Sequence, residues 1–175
     1  MAITRLGPNN STNISGINLT SQVTGTLPTG NGGTGATSFS PGKVLQVVSV
    51  STTSSVATTS TSFVDINLSL NITPSATSSK IFVTYTGSNE TNGTGGNKLS
   101  LQILRDSTQI ADATGIGSLG SENGIVISNA LSVLDEPSTT SQITYKMQGK
   151  SDDGTVMVFN INGDKTTITA FEIAG

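Results

Sequence analysis

Between residues 64 and 72 the sequence alternates without a break: Val64, Ile66, Leu68, Leu70 and Ile72 are apolar, while Asp65, Asn67, Ser69 and Asn71 are polar. Side chains of an extended chain project to opposite faces in turn, so a period of two specifies a strand with one face in a core and the other toward solvent. A helix, which repeats every 3.6 residues, would scatter these apolar positions around its circumference. Pro74 ends the run. The same period recurs at Ile81, Val83 and Tyr85 within residues 80–86, and at Leu99, Leu101 and Ile103 within residues 99–105. Residues 44–50 form a strand-like apolar run, followed by a Ser/Thr stretch through Ser62, and residues 87–96 read as a turn-rich loop. Further strands are expected at 109–113, 125–134, 143–148, 156–161 and 166–173. Asp153-Gly154 and Asn162-Gly163 separate the last three, and such dipeptides suit tight hairpins, which predicts a meander. About eight or nine short strands with turn signals every ten or so residues predict an all-β, two-sheet antiparallel sandwich over residues 44–175. Consecutive apolar residues such as Met157, Val158 and Phe159, with Phe171 nearby, predict strands covered on both faces.

Composition supports a β-rich chain over a charge-expanded one. Only 11% of the 175 residues are charged and the net charge is −3, too little self-repulsion to keep the chain open. The chain has no His and no Cys, which removes Ser-His-Asp and Cys-His catalysis, imidazole or thiolate zinc sites, and any disulfide framework. Eight scattered Lys and Arg argue against a nucleic-acid surface, because phosphate neutralisation needs clustered bases. No run approaches the roughly 20 apolar residues that span a bilayer, so no membrane insertion is expected. The start, Met-Ala-Ile-Thr-Arg-Leu-Gly, has no continuous apolar stretch of the signal-peptide kind.

Residues 1–43 follow neither period. Gly7-Pro8, Leu27-Pro28, Gly30-Asn31-Gly32-Gly33 and Pro41-Gly42 break them repeatedly, and the apolar residues are too sparse to close a core. This segment is expected to be an extended N-terminal arm for attachment or oligomerisation, with a slack linker as the alternative. Gly32, Gly33 and Gly35 permit close approach of neighbouring chains, Pro28 fixes an extended backbone, Leu27 supplies an apolar anchor, and Thr34 lies among them. These six residues are the candidate packing and attachment element.

The stretch Gly25-Thr-Leu-Pro-Thr-Gly-Asn-Gly-Gly-Thr-Gly-Ala-Thr37 resembles the Leu-Pro-x-x-Asn-Gly-Gly-Thr-Gly-Ala element of phage tail fibres and other virion fibres. Those proteins often carry Val-Ala where this chain has Thr29-Gly30. Small cyanophage-type virion proteins are similar over nearly the whole chain, notably at Gly42-Lys-Val-Leu-Gln-Val-Val48, Thr73-Pro-Ser-Ala-Thr-Ser-Ser-Lys-Ile81, Leu104-Arg-Asp106, Pro137-Ser-Thr-Thr-Ser141, Thr144-Tyr-Lys146 and Ile168-Thr-Ala-Phe-Glu-Ile-Ala174. The resemblance implies a jelly-roll-like head, a homotrimer, and a virion location after assembly in the bacterial host cytoplasm. It also implies partners among other virion proteins of tail, neck or capsid, and leaves open whether the head contacts a host-surface glycan or protein. A capsid decoration or cement protein is the alternative role.

No catalytic residue, cofactor or metal site is expected. Two carboxylates suffice for glycoside hydrolysis, which makes a polysaccharide-degrading appendage the third reading. Its candidates have plainer roles: Asp152-Asp153 precede Gly154 as turn residues, Asp135-Glu136 precede Pro137 at a strand end, and Asp65 faces solvent. With no Trp and two Tyr, a sugar-stacking groove is poorly provided for. Calcium would take oxygen ligands, but Asp152-Asp153-Gly154 lacks the spacing of a dedicated loop.

Overall fold

A computed structural model describes residues 43–92, 96–117 and 124–175. The arm residues Leu27, Pro28, Gly32, Gly33, Thr34 and Gly35 lie outside them. The described chain forms β1 (Val44–Thr52), β2 (Val56–Thr58), β3 (Val64–Ile72), β4 (Lys80–Asn92), β5 (Lys98–Arg105), β6 (Thr108–Gly117), β7 (Ile125–Asp135), β8 (Ile143–Ser151), β9 (Val156–Phe159) and β10 (Thr166–Ile173).

The strands lie in two antiparallel sheets. In the first, β4 is central: β7 runs along one flank, and the other flank is shared end to end by β9, against Asn89–Asn92, and β10, against Lys80–Thr86. β1 continues outward from β10 and β2 from β9. β1 with β2, and β9 with β10, therefore act as two continuous lines, each interrupted once. The second sheet has the order β3-β8-β5-β6. Counting each interrupted line as one strand, the first sheet joins strands one, eight, three and six, and the second joins two, seven, four and five. That interleaving is the jelly roll, an all-β antiparallel sandwich in which successive strands cross between layers.

The expected meander is corrected. Asn162-Gly163 belongs to a single 3-10 turn, Ile161–Gly163, inside one strand line, and Asp153-Gly154 carries the chain from β8 in one sheet to β9 in the other. Gly154 and Gly163 do take positive φ, of 80° and 70°, as the dipeptides suggested. A left-handed residue announces a change of direction, but the partner of the next strand is chosen by tertiary packing. The loop expected at 87–96 is shorter too. β4 runs on to Asn92 because β7 and β9 pair with its far half on both sides. Within the Ser/Thr stretch, Val56–Thr58 pairs with β9.

The core lies between the inner faces. Ile66, Leu68, Leu70 and Ile72 of β3 meet Ile81, Val83 and Tyr85 of β4 and Ile168 of β10, all essentially inaccessible to solvent. The ladder between β3 and β8 slips between Asp65 and Ser69, where one residue of β8, Met147, opposes three of β3. Inserting an even number of residues preserves facing, so the alternation seen in the sequence carries Ile66 and Leu70 to the same core. Gly149 of β8 has no side chain because the Phe159 ring occupies that space. In β9, Met157 and Phe159 are buried while Val156 is exposed and Val158 half-buried, so only one face of that strand enters the core.

The sandwich has two distinct ends. At one, Lys43 leads into β1, Ala174 N–H donates to Lys43 O at 2.9 Å, and the connections 73–79, 106–107 and 136–142 are found. At the other lie the connections 59–63 and 152–155 with the facing ends of β4, β5, β6 and β7, tied by Ser151 N–H to Ser60 O at 2.8 Å and Asp152 N–H to Lys98 O at 2.9 Å.

Candidate functional site

The carboxylates singled out from sequence are engaged in structural contacts. Asp152 accepts from Ser100 Oγ at 2.7 Å and Gly115 N–H at 3.2 Å and pairs with Lys150 at 3.2 Å, linking β5, β6 and β8. Asp153 accepts from Thr155 Oγ1 at 2.6 Å and Ser151 Oγ at 3.1 Å, closing its own turn. Burial pushes its carboxyl up, and the bonds from Thr155, Ser151 and Lys98 outweigh this, so it titrates below the ordinary range. Glu136 pairs with Lys80 at 2.7 Å in solvent, and that hydrogen bond lowers its pKa. Asp135, almost fully buried, accepts from Arg105 Nη1 at 2.8 Å and Tyr145 OH at 2.6 Å, tying β7 of one sheet to β5 and β8 of the other. Burial first, then this bond to Asp135, pushes the Tyr145 phenol well above its ordinary range. Among the described residues no three His, Cys, Asp or Glu side chains gather as a metal-holding cluster.

A buried acid that the sequence reading passed over sits where the chain enters the sandwich. Glu172 of β10 is 0% exposed and has no cationic partner among its contacts. It accepts from Gln46 Nε2 at 2.6 Å, Ser75 N–H at 2.6 Å, Ser75 Oγ at 3.1 Å and Ser79 Oγ at 2.7 Å. Desolvation pushes its carboxyl up, but the bonds from Ser79, Gln46 and Ser75 prevail and hold it below the usual carboxylate range. The signal was available: Ile168, Ala170 and Glu172 share one phase of a strand, which places the acid on the inward face.

The two outer faces differ in kind. Across the second sheet, Asp112, Gln102, Gln148 and Asp65 lie side by side. Gln102 Nε2 donates to Gln148 Oε1 at 2.7 Å, and Gln148 Nε2 donates to Asp65 Oδ1 at 2.6 Å. The bond from Gln148 and then the neighbouring Lys146 draw the Asp65 carboxyl down against modest desolvation. This face is polar and internally satisfied.

Across the first sheet the corresponding row is apolar. Register places Val47 opposite Phe171, Phe171 opposite Phe82, and Phe82 opposite Leu134, so one line of side chains crosses four strands on the outward face. The rings of Phe82 and Phe171 lie 6.3 Å apart and tilted. Val44 pairs with Ile173 just beyond. Val44 and Val47 are 54% exposed and Leu134 50%, with Leu45 also exposed at the bulge beside them. Next to this row come two rows of small residues: Ser49, Thr169, Thr84 and Ser132, then Ser51, Thr167, Thr86 and Ala130. The only charge among the three rows and the Val44–Ile173 pair is Lys80, at the rim opposite Ile173 and tied to Glu136. The face therefore joins the chain's entering end to an extended, nearly uncharged apolar strip.

Farther along, the 3-10 turn lifts the chain away from β4 and leaves Gly87 and Ser88, between Thr86 and Asn89, without a ladder partner on the β9–β10 side. A shallow cleft of about 400 Å³ opens there, lined by Ser88, Ser128, Asn129 and Lys165. Asn89, fully buried nearby in β4, donates to Asn129 Oδ1, while its own Oδ1 has no partner among the described residues.

No family model matches the sequence, and no curated protein does. Among solved structures, VP2 of infectious bursal disease virus in a subviral particle is similar with a TM-score of 0.40 and 13% identity over 86% of this chain and 42% of that one. A structure of T=1 particles derived from the same virus gives a TM-score of 0.40 and 13% identity over 85% of this chain and 41% of that one. A structure of the Gx strain of infectious bursal disease virus gives a TM-score of 0.36 and 11% identity, covering 86% of this chain and 42% of that one. The chain thus spans less than half the length of these structures.

Proposed function

We propose that the protein is a non-enzymatic structural component of a phage virion, a homotrimeric tail fibre or other appendage subunit. It attaches through the arm of residues 1–43, in which Leu27, Pro28, Gly32, Gly33, Thr34 and Gly35 form the packing element, and presents the sandwich outward to a host-surface glycan or protein. The observation that carries this reading is the polarity of the sandwich. The chain enters at Lys43 beside Ala174 at one end, and the connections 59–63 and 152–155 lie together at the other, with the ends of β4, β5, β6 and β7. A module held by its entering end thereby displays a cluster of connections, the part of a fold that accepts recognition roles most readily. The resemblance of residues 25–37 to the virion-fibre element supplies the phage setting.

A second reading is a capsid decoration or cement protein, favoured by the strand interleaving itself, since jelly rolls recur in viral shells as well as in lectin domains. Electron microscopy of particles labelled with an antibody to the sandwich, together with copy number, decides between them. Tail label with a few to some tens of copies supports the appendage. Label spread over the shell in hundreds of copies replaces it with the decoration protein, and absence from purified particles removes both.

A further inference from the structure

We propose that the outward face of the first sheet, from the Val44–Ile173 pair to the Ser51–Thr167–Thr86–Ala130 row, is the surface through which copies of this chain pack on one another. This rests on the homotrimer reading and specifies the surface that reading leaves unassigned. Three observations converge on a second copy as the occupant.

The first is charge. The face carries Val47, Phe171, Phe82, Leu134 and rows of Ser and Thr, with Lys80 neutralised by Glu136 at the rim. A charged partner would find nothing to pair with, whereas a second copy brings the same uncharged, apolar strip. The second sheet, whose outer amides and acids bond one another, has no such deficit.

The second is the edge. β1 is nine residues long, Val-Leu-Gln-Val-Val-Ser-Val-Ser-Thr, and pairs only with β10 among the described residues. It contains none of the charges, prolines or glycines that keep a free edge from recruiting another chain. Val44, Leu45, Val47 and Val50 are all exposed along it. Packing of copies against this side covers the edge together with the face.

The third is area. Four strands about 4.8 Å apart and roughly eight residues at about 3.4 Å each give a face on the order of 500 Å². Turned toward a common axis and divided between two neighbours, three such faces bury about 1,500 Å² in all, or about 500 Å² per pair of chains, too little for a stable two-chain contact and enough only when all three contacts close together.

The test uses the full chain at micromolar concentration. Light scattering of the unsubstituted protein is expected to give a multiple of 17.8 kDa, and Val47→Glu with Leu134→Glu is expected to give the single-chain mass with unchanged circular dichroism. Gln109→Glu, an exposed position on β6 of the other sheet, should leave the multiple intact. Since the chain has no cysteine, a second measurement needs no double variant. Ser132→Cys on the face should react with a maleimide at least tenfold more slowly in the assembled protein than Gln109→Cys. An assembly that persists in the double Glu variant, with Ser132→Cys reacting as fast as Gln109→Cys, overturns this surface and leaves the homotrimer standing. An unsubstituted protein that runs as a single chain overturns both.

Discussion

Glu172 shows how much one side chain organises. A carboxylate fully removed from solvent, with no ion-pair partner among the described residues, is held by four donors from β1 and the 73–79 connection that converge on it. Glu172→Gln places an amide N–H against some of those donors and should cost about 1–3 kcal/mol in urea titration at neutral pH. The pH dependence has a definite sign. The folded-state pKa lies below the unfolded value of about 4.3, so the contribution is complete above that value and disappears as pH falls through the folded pKa. The variant should therefore lose less stability than the unsubstituted protein between pH 5 and pH 3, measured by thermal melts, and equal losses would contradict the assignment. Gly149 makes the opposite case, a side chain excluded by its neighbour. Gly149→Ala drives a methyl into the Phe159 ring and is expected to cost about 1–3 kcal/mol by the same titration.

At the scale of the elements, the two interruptions and the tie between sheets give the sandwich its shape. Asn160 opens the break between β9 and β10 with φ of 61°, and its Nδ2 donates to Ser54 O at 3.1 Å and Ile66 O at 3.0 Å. Asn160→Gly keeps the left-handed backbone at little cost, while Asn160→Ala adds a penalty of roughly 1–2 kcal/mol for that conformation. Both lose the two bonds, so the alanine variant should melt lower than the glycine variant. The tie of Arg105, Asp135 and Tyr145 admits a similar ranking. Arg105→Met strands a buried carboxylate and should cost about 3–5 kcal/mol, Tyr145→Phe about 1 kcal/mol, and Lys80→Met, in the solvated pair with Glu136, less than about 1 kcal/mol. Denaturant midpoints of the three variants check the order.

Individual elements were legible in the sequence to different degrees. The run from Val64 to Ile72 declared its strand and its inward face, and residues 166–173 were bounded as β10 is. The route between strands was hidden, because Asn162-Gly163 encodes a local dihedral while the neighbour of β10 is β4, some eighty residues earlier. The far half of β4 was lost for a related reason. Asn89 and Thr91 are polar, yet they face inward, where two paired neighbours satisfy the backbone. The outer apolar row could not be seen either, because Val47, Phe82, Leu134 and Phe171 are brought into line only by the register of three ladders.

For the whole molecule, every buried member of the central core among the described residues lies between Ile66 and Ala170. A chain beginning at Lys43 is expected to retain β-type circular dichroism and a single cooperative thermal transition. A broad, non-cooperative melt would show that the arm contributes to the core.

The ladder that joins β1 to β10 also determines how the sandwich bears load. If Lys43 is pulled while the opposite end is restrained, the force runs along the axis of β1, whose eight register pairs with β10 begin at Val44 and end at Thr52. Antiparallel hydrogen bonds stand perpendicular to the strands, so this pull loads them in shear, many at once, instead of peeling them singly from one end. A sandwich tethered through that strand would resist extraction far better along its long axis than across it.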